Sequence, residues 1–546
     1  MAWADLDGNG RPDLYLGGSA GQAGAIWLNE GKGKFRPLAQ SAFEQDKSAE
    51  DLGALFFDAD GDGDQDLFVS SGSHEYANSS EHYRDRLYRN EGNLRFTSAP
   101  LPDHRGSSGS ASAADFDRDG DLDLFVGGRL RPGEYPLPGK SRLLRNDDGN
   151  FTEVIGQVAP GLADAGMVTG SLWTDVDADG WPDLLLSTEW GPVKLFRNRQ
   201  GSLVDETQAA GLAELKGWWT GLAAADCDSD GDLDYVVGNL GLNTKYKVTK
   251  GKPYLAYYGS FDSTGRKRFV EATYEHEKLF PVRGKSCSSE AMPFVANKFK
   301  SYVAFAKATL PEIYTQQCLD DSYRVEANLL ESGILLNDGQ GRFTFKALPR
   351  IAQIAPIFGV AAEDFDADGN VDLVLAQNFY WPQPETGRMA GGLGQYLRGN
   401  GDGSFEPIRP KQSGIAVPDD ARSLVAADID ADGRLDLAFG LNDGPVTFFS
   451  RNDNKTSSER YLRVKLTGKN GNPTAIGALL TLTFSDGSTL IREIHAGQGY
   501  LSQSTPDAWF GLGDKNPQTI EVRWPDGQTS SAKVETGQSN VVLTAP

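Results

Sequence analysis

The chain has 546 residues, too many for one ordinary domain, and 64 of them are glycine. A formal net charge of −23 argues against nucleic acid and anionic membrane surfaces as partners. No stretch approaches the roughly 18 consecutive apolar residues of a membrane-spanning helix; short apolar runs and abundant glycine point instead to many short strands joined by tight turns.

Met1 runs straight into a strand, Met1-Ala2-Trp3-Ala4, with no signal peptide ahead of it. The expectation is a mature or trimmed chain. An acidic loop follows at once, with Asp5, Asp7, Asn9, Gly10, Arg11 and Asp13. Its pattern, D-x-D-x-[DN]-G-x-x-D, recurs six more times. The second copy has Asp58, Asp60, Asp62 and Asp66, with Asp64 at position seven. The third has Asp115, Asp117, Asp119 and Asp123, with Asp121 at that place. Asp175, Asp177, Asp179 and Asp183 make the fourth, around Trp181. Asp226, Asp228, Asp230 and Asp234 make the fifth, around Asp232. The sixth is Asp364, Asp366, Asp368 and Asp372 with Asn370, and the seventh Asp428, Asp430, Asp432 and Asp436 with Arg434.

Each copy has the same neighbours. Small apolar residues precede it, as in Ser112-Ala113-Ala114, and a short strand follows, as in Leu124-Phe125-Val126. A further strand often ends in Arg-Asn, as at Arg145-Asn146, and a glycine turn leads to one opened by an aromatic such as Phe151. Roughly four strands per unit make a propeller blade. Seven such units close a ring without exposed sheet edges. The predicted fold is therefore all-β, a seven-bladed β-propeller over residues 1–452.

The loop spacing carries a chemistry. Carboxylates alternate at positions 1, 3 and 5, glycine at position 6 permits a sharp turn, position 7 offers a backbone carbonyl, and position 9 returns a carboxylate. Hard oxygen ligands in this number suit Ca²⁺, up to seven ions in all. Seven divalent ions would offset more than half of the net charge of −23. Asp-rich hairpin turns are the plainer alternative. They predict Asp at one or two positions, not four in register.

The fifth and sixth copies are separated by a long insertion, residues 241–332, rich in aromatic and basic side chains such as Tyr246, Tyr254, Tyr257, Tyr258, Lys298, Lys300 and Tyr302. Met292–Tyr314 reads as partly helical. The stripe either packs on the propeller or caps the central funnel to form a ligand site. Phe261-Asp262-Ser263-Thr264-Gly265 looks like a decayed acidic loop and is not assigned as a site. Cys227 occupies an apolar loop position and reads as a small buried hydrophobe, while Cys287 and Cys318 share the insertion, and a disulfide between them is as expected as not.

Residues 455–546 alternate as strands should: Leu462, Val464 and Leu466 face one way, Tyr461, Arg463 and Lys465 the other. They predict a small β-sandwich or barrel. No P-loop or H-E-x-x-H occurs. His74 and His82 fall in a polar loop whose ordinary reading is solvated, and His495 reads as structural.

These loops resemble those of the FG-GAP/VCBS repeat propellers. Ala475 to Leu482, His495-Ala496-Gly497-Gln498-Gly499-Tyr500-Leu501-Ser502-Gln503-Ser504, Phe510 to Gly513 and Glu521 to Gly527 resemble the ASPIC/UnbV domain of the cartilage acidic protein family and its bacterial relatives. The resemblance implies calcium-loaded blades, and Asp234 to Lys247, similar to a long bacterial subgroup, imply that the chain is part of a longer one. The expected function is a calcium-stabilised, secreted, periplasmic or cell-surface binding or scaffold protein that recognises protein or glycan. A propeller enzyme acting on polysaccharide or in secondary-metabolite biosynthesis is the alternative. Any ligand is expected near the blade-five insertion, not at the calcium loops.

Overall fold

The computed structural model describes residues 1–383, 386–451 and 460–546. The domain boundary expected at 452–455 lies outside the described residues. Seven sheets follow one plan, each built round one acidic loop. An inner strand runs into the loop, a second strand returns antiparallel, and outer strands follow. In blade three these are Ser107–Ala114, Asp123–Leu130, Arg142–Asp147 and Asn150–Glu153. Blades one, two, four and six repeat the order, with inner strands Ala2–Ala4, Asp51–Phe57, Met167–Thr174 and Ile357–Glu363. Blade five pairs Leu222–Ala225 and Asp234–Val237 with Gly333–Asn337 and Phe343–Ala347, so the insertion lies inside the blade, between its second and third strands. Blade seven shows three strands among the described residues, Ala421–Ala427, Asp436–Leu441 and Thr447–Phe449.

The inner strands are buried on both faces, which explains their small residues. All eight residues of Met167–Thr174 are buried. Adjacent backbones approach closely at the centre. A side chain on Gly221 would come within 2.3 Å of Phe358 O.

Blade seven packs directly on blade one. Met1, Trp3 and Leu14 share a hydrophobic cluster with Val425, Ala427, Ile429 and Ala438. Phe448 stacks on Phe35 with ring centroids 5.5 Å apart. The Asn29 side-chain amide donates across this seam to Ile429 O at 2.8 Å.

The insertion has more strand than its sequence suggests. Tyr254–Ser260, Lys267–Glu275, Lys278–Pro281 and Tyr323–Ala327 form a separate four-stranded sheet. Five short helices, from Lys285–Ala291 to Gln316–Asp320, cover one side of it, so the partly helical expectation holds for that half. Tyr254, Ala256, Val325 and Ala327 pack with Met167 and Trp190, so the sheet leans on blade four. Cys287 and Cys318 are free thiols here, the first exposed and the second half-buried. The pairing weighed from sequence is not formed. Cys227 is fully buried, as expected of a small hydrophobe.

The C-terminal residues form two sheets, one of Tyr461–Thr467, Ala508–Gly511 and Asn540–Thr544, the other of Leu479–Phe484, Thr489–Glu493, Pro517–Arg523 and Thr529–Lys533. Their core is not separate from the propeller's. Leu462, Leu480, Phe510 and Trp524 belong to one hydrophobic cluster with Leu55, Phe57, Leu124 and Leu144 of blades two and three.

Candidate functional site

The seven loops share a geometry. At position 1, one carboxylate oxygen accepts from the backbone N–H of the position-6 glycine, as in Gly231 to Asp226 at 3.2 Å and Gly369 to Asp364 at 2.8 Å. At position 5, Asp230 accepts from Asp232 N at 3.0 Å, and Asp368 from Asn370 N at 2.8 Å. Position 9 is the anchor. Asp234 takes Cys227 N–H at 3.0 Å on one oxygen and Asn337 N–H at 2.9 Å on the other. Asp13, Asp66, Asp123 and Asp183 are held the same way by Asn29, Asn90, Asn146 and Asn198. The asparagine that the sequence places at the end of the third strand in blades one to five thus has a defined task, which the backbone of Gly399 takes over in blade six. Its side chain also reaches the preceding blade: Asn146 donates to Ala59 O at 3.0 Å, Asn198 to Phe116 O at 2.8 Å, and Asn337 to Val176 O at 2.9 Å. Each of these acceptors lies in the preceding blade's loop.

What remains is a set of oxygens with nothing to bind. Buried carboxylate oxygens of Asp5, Asp60, Asp117, Asp175, Asp177, Asp226, Asp228, Asp366 and Asp428 have no hydrogen-bond partner. All occupy position 1 or 3, every loop contributes at least one, and Asp436 adds one at position 9. In several loops, three carboxylates bring ligand atoms within 4.8 Å of one another, as for Asp115, Asp117 and Asp123, or Asp226, Asp228 and Asp230. Burial, reinforced by Asp119 and Asp117, pushes Asp115 up to about 7. Burial likewise carries Asp226 to about 6 and Asp364 to about 7. Carboxylates this dry and this crowded want a cation or a proton. The donor set is all oxygen, so the residues present fit a hard cation. Position-7 residues Arg11, Asp64, Asp121, Trp181, Asp232, Asn370 and Arg434 would contribute only their backbone carbonyls.

The loop ends of the blades face the C-terminal sheets. Arg523 reaches Asp175, Arg463 lies 3.5 Å from Asp428, and Gly513 N donates to Ala367 O at 2.8 Å. From these sheets residues 495–504 descend into the centre of the ring and touch every blade. Ala113 N donates to Ala496 O at 3.1 Å. Leu222 and Gly499 exchange both backbone bonds, at 3.2 and 2.6 Å. Gln503 pairs with Trp3 and Met1 through its backbone, and its side-chain amide grips Phe56 N and Phe56 O at 2.6 and 2.8 Å. His495 Nδ1 lies 3.1 Å from Trp173 O, Ser502 donates to Leu424 O at 3.4 Å, and Tyr500 packs edge-on against Phe358 at 5.1 Å. His495 is therefore structural, and burial lowers it to about 4, so it is held neutral.

At the opposite ends of the blades lies a cavity of about 510 Å³. Blades three to seven, the insertion and the tip of the central segment line it. Its walls hold ten aromatic side chains, among them Trp190, Trp218, Trp219, Tyr246, Phe269 and Tyr500. Trp381 stands at the cavity 61% exposed. Sequence reasoning found Tyr246 but missed the rest. The signal was present in Thr188-Glu189-Trp190, Gly217-Trp218-Trp219 and Phe379-Tyr380-Trp381, where bulky aromatics fall at or near the end of a strand. The polar histidine loop and the decayed acidic loop are quieter. His82 stacks under Tyr76 at 4.0 Å and bonds Ser80, and Asp262 accepts from Thr264 N at 2.9 Å in an exposed turn.

An FG-GAP-like repeat model matches residues 5–69, 72–126, 175–237 and 387–439, and an ASPIC and UnbV model matches residues 468–546. The chain therefore carries FG-GAP-like repeats followed by an ASPIC and UnbV domain. Cartilage acidic protein 1 of Homo sapiens is 30% identical over 210 residues, which is 38% of this chain and 30% of that protein. The Xenopus tropicalis counterpart is 32% identical over 211 residues, 38% of this chain and 31% of its own length. The matched stretch thus spans under a third of these relatives. Among solved structures, BBS1N in complex with ARL6DN aligns over 82% of this chain and 90% of its own, with 12% identity and a TM-score of 0.38. The V. cholerae biofilm matrix protein Bap1 aligns over 80% and 83%, with 12% identity and a TM-score of 0.32. The exotype rhamnogalacturonan lyase YesX aligns over 81% and 70%, with 13% identity and a TM-score of 0.37. Likeness at this level says nothing of ligand or chemistry.

Proposed function

We propose that this protein is a calcium-stabilised binding module that takes its ligand in the aromatic cavity beside the blade-five insertion. One observation carries the reading: the large aromatic cavity lies at the ends of the blades remote from the acidic loops, so metal and ligand sites are separate. The loops have the oxygens for Ca²⁺ and are covered by the C-terminal sheets, which suits ions that hold backbone in place. The cavity is concave, mostly apolar, and built largely on strand ends, which suits recognition. Free calcium is too low in cytosol for loops of modest affinity, so the working compartment is extracellular, periplasmic or at the cell surface. No helix among the described residues is long and apolar enough to cross a membrane.

Replacing residues 250–325 by a short linker tests the reading. The shortened chain should keep its calcium and its far-ultraviolet spectrum but lose binding to a ligand identified with the full chain. Unchanged affinity in a folded, calcium-loaded deletion would move the ligand site elsewhere.

A further inference from the structure

The charged side chains that face the cavity come in compensated pairs. Glu189 is bonded by Arg129, and by Tyr135 Oη at 2.6 Å. Glu271 accepts from Tyr254 Oη at 2.8 Å and lies 3.3 Å from Arg283 Nε. Arg422 is held bidentately by Asp420, at 3.0 and 3.1 Å, and its guanidinium is layered over Phe358 at 4.0 Å and Phe379 at 4.6 Å. No pair offers a net charge to a ligand. A cation would need a carboxylate without a partner, and an anion would need an arginine without one. What the pairs do offer is donors and acceptors side by side, the complement of adjacent hydroxyl groups. Between them stand flat aromatic faces, with Trp381 exposed at the cavity. An aromatic face accepts the C–H side of a saturated ring through its negative π-surface.

We infer that this cavity binds a neutral oligosaccharide, its ring hydroxyls met by the Glu189–Arg129 and Glu271–Arg283 pairs and its apolar faces by the tryptophans. The inference rests on the cavity being the ligand site. A volume of about 510 Å³ lies within the range of small-ligand pockets, roughly 300–1,000 Å³, so a short oligosaccharide fits and a folded partner does not enter. Because the pairs compensate one another, binding gains nothing from long-range attraction and depends little on ionic strength.

The calcium-loaded full chain should be screened on neutral gluco-, manno- and galacto-oligosaccharides, with polygalacturonate and chitosan oligosaccharides as charged arms and extracellular protein extracts as a third. The expected result is binding in the neutral arm, with affinity nearly constant between about 0.05 and 0.5 M salt. Trp381→Ala, at an exposed position that leaves the fold intact, should weaken it by about tenfold or more. Glu271→Gln should weaken it further while the melting temperature stays close to that of the parent. Binding confined to a charged arm, or a steep salt dependence, overturns the neutral-glycan inference. A protein ligand that Trp381→Ala releases also overturns it, yet leaves the cavity as the ligand site. A neutral glycan held equally by the parent and both variants overturns the cavity assignment itself.

Discussion

At the scale of the residue, Gln503 shows how one side chain can complete a sheet. Its amide meets Phe56 N and Phe56 O as a neighbouring strand would, in a place where only 4% of Gln503 is exposed. Gln503→Leu removes both partners without adding a void of consequence. Two buried backbone groups then go unpaired, at about 1–3 kcal/mol each. The expected outcome is a lower melting temperature and faster proteolytic release of the C-terminal sheets, with calcium binding retained. A variant as stable as the parent would show that water replaces the amide. The sequence marks Gln503 only as part of a family-like segment, because nothing in local pattern says that a glutamine pairs with a strand more than four hundred residues away. Position 4 of the loops is similar. It takes a left-handed φ in every copy, by glycine at Gly8 and Gly61 but by Arg118, Ala178, Ser229, Ala367 and Ala431 in the others. Such non-glycine positions cost roughly 1–2 kcal/mol each, a strain that bound metal would help hold.

At the scale of the element, the acidic loops were the most legible feature of the chain. Asp, Asn and Gly at fixed offsets act through short-range geometry, and repetition separates the signal from chance. Less legible were the differences among copies, which depend on neighbours distant in sequence. Arg89 lies 3.4 Å from Asp60, Arg197 pairs with Asp177, Arg398 sits 2.8 Å from Asp366, and Arg523 and Arg463 approach Asp175 and Asp428. Among the described residues, no ion pair reaches the loops of blades three and five, each of which has five aspartates. These two loops should therefore bind Ca²⁺ most tightly. Titration calorimetry should resolve a tight class that Asp230→Ala reduces by one ion, and Asp177→Ala, in a loop that Arg197 already pairs with, should leave that class intact. Equal loss from both variants would show that the nearby arginines do not tune the loops. The insertion was half legible. Its helices follow from apolar spacing, whereas its sheet pairs Tyr254–Ser260 with Tyr323–Ala327 across the intervening helices, a separation that local pattern does not reveal.

At the scale of the whole molecule, the sequence reads as a ring of repeats followed by a small separate domain. The structure couples the two parts. Residues 495–504 reach all seven blades, the C-terminal sheets share a hydrophobic cluster with blades two and three, and arginines from those sheets touch acidic loops of blades four and seven. Asparagine links join the loops of blades two, three and four to the blade that follows each, and Asn29 carries the seam between blades seven and one. Contacts so distributed predict one cooperative unfolding transition, not two. Calcium held by the loops would belong to the same unit. An ion that binds only the folded chain at a hundred times its Kd adds about 2.7 kcal/mol, and several loops add their shares to one equilibrium. Calorimetry of the calcium-loaded chain should give a single peak, and chelation should move that whole peak to lower temperature. The tip of the central segment ends at Tyr500 in the aromatic cavity, so loosening the loops should also weaken ligand binding at the opposite end of the ring. A second peak that stays in place after the metal has been shown to leave would mean that the C-terminal sheets fold on their own and that the central segment merely rests in the ring.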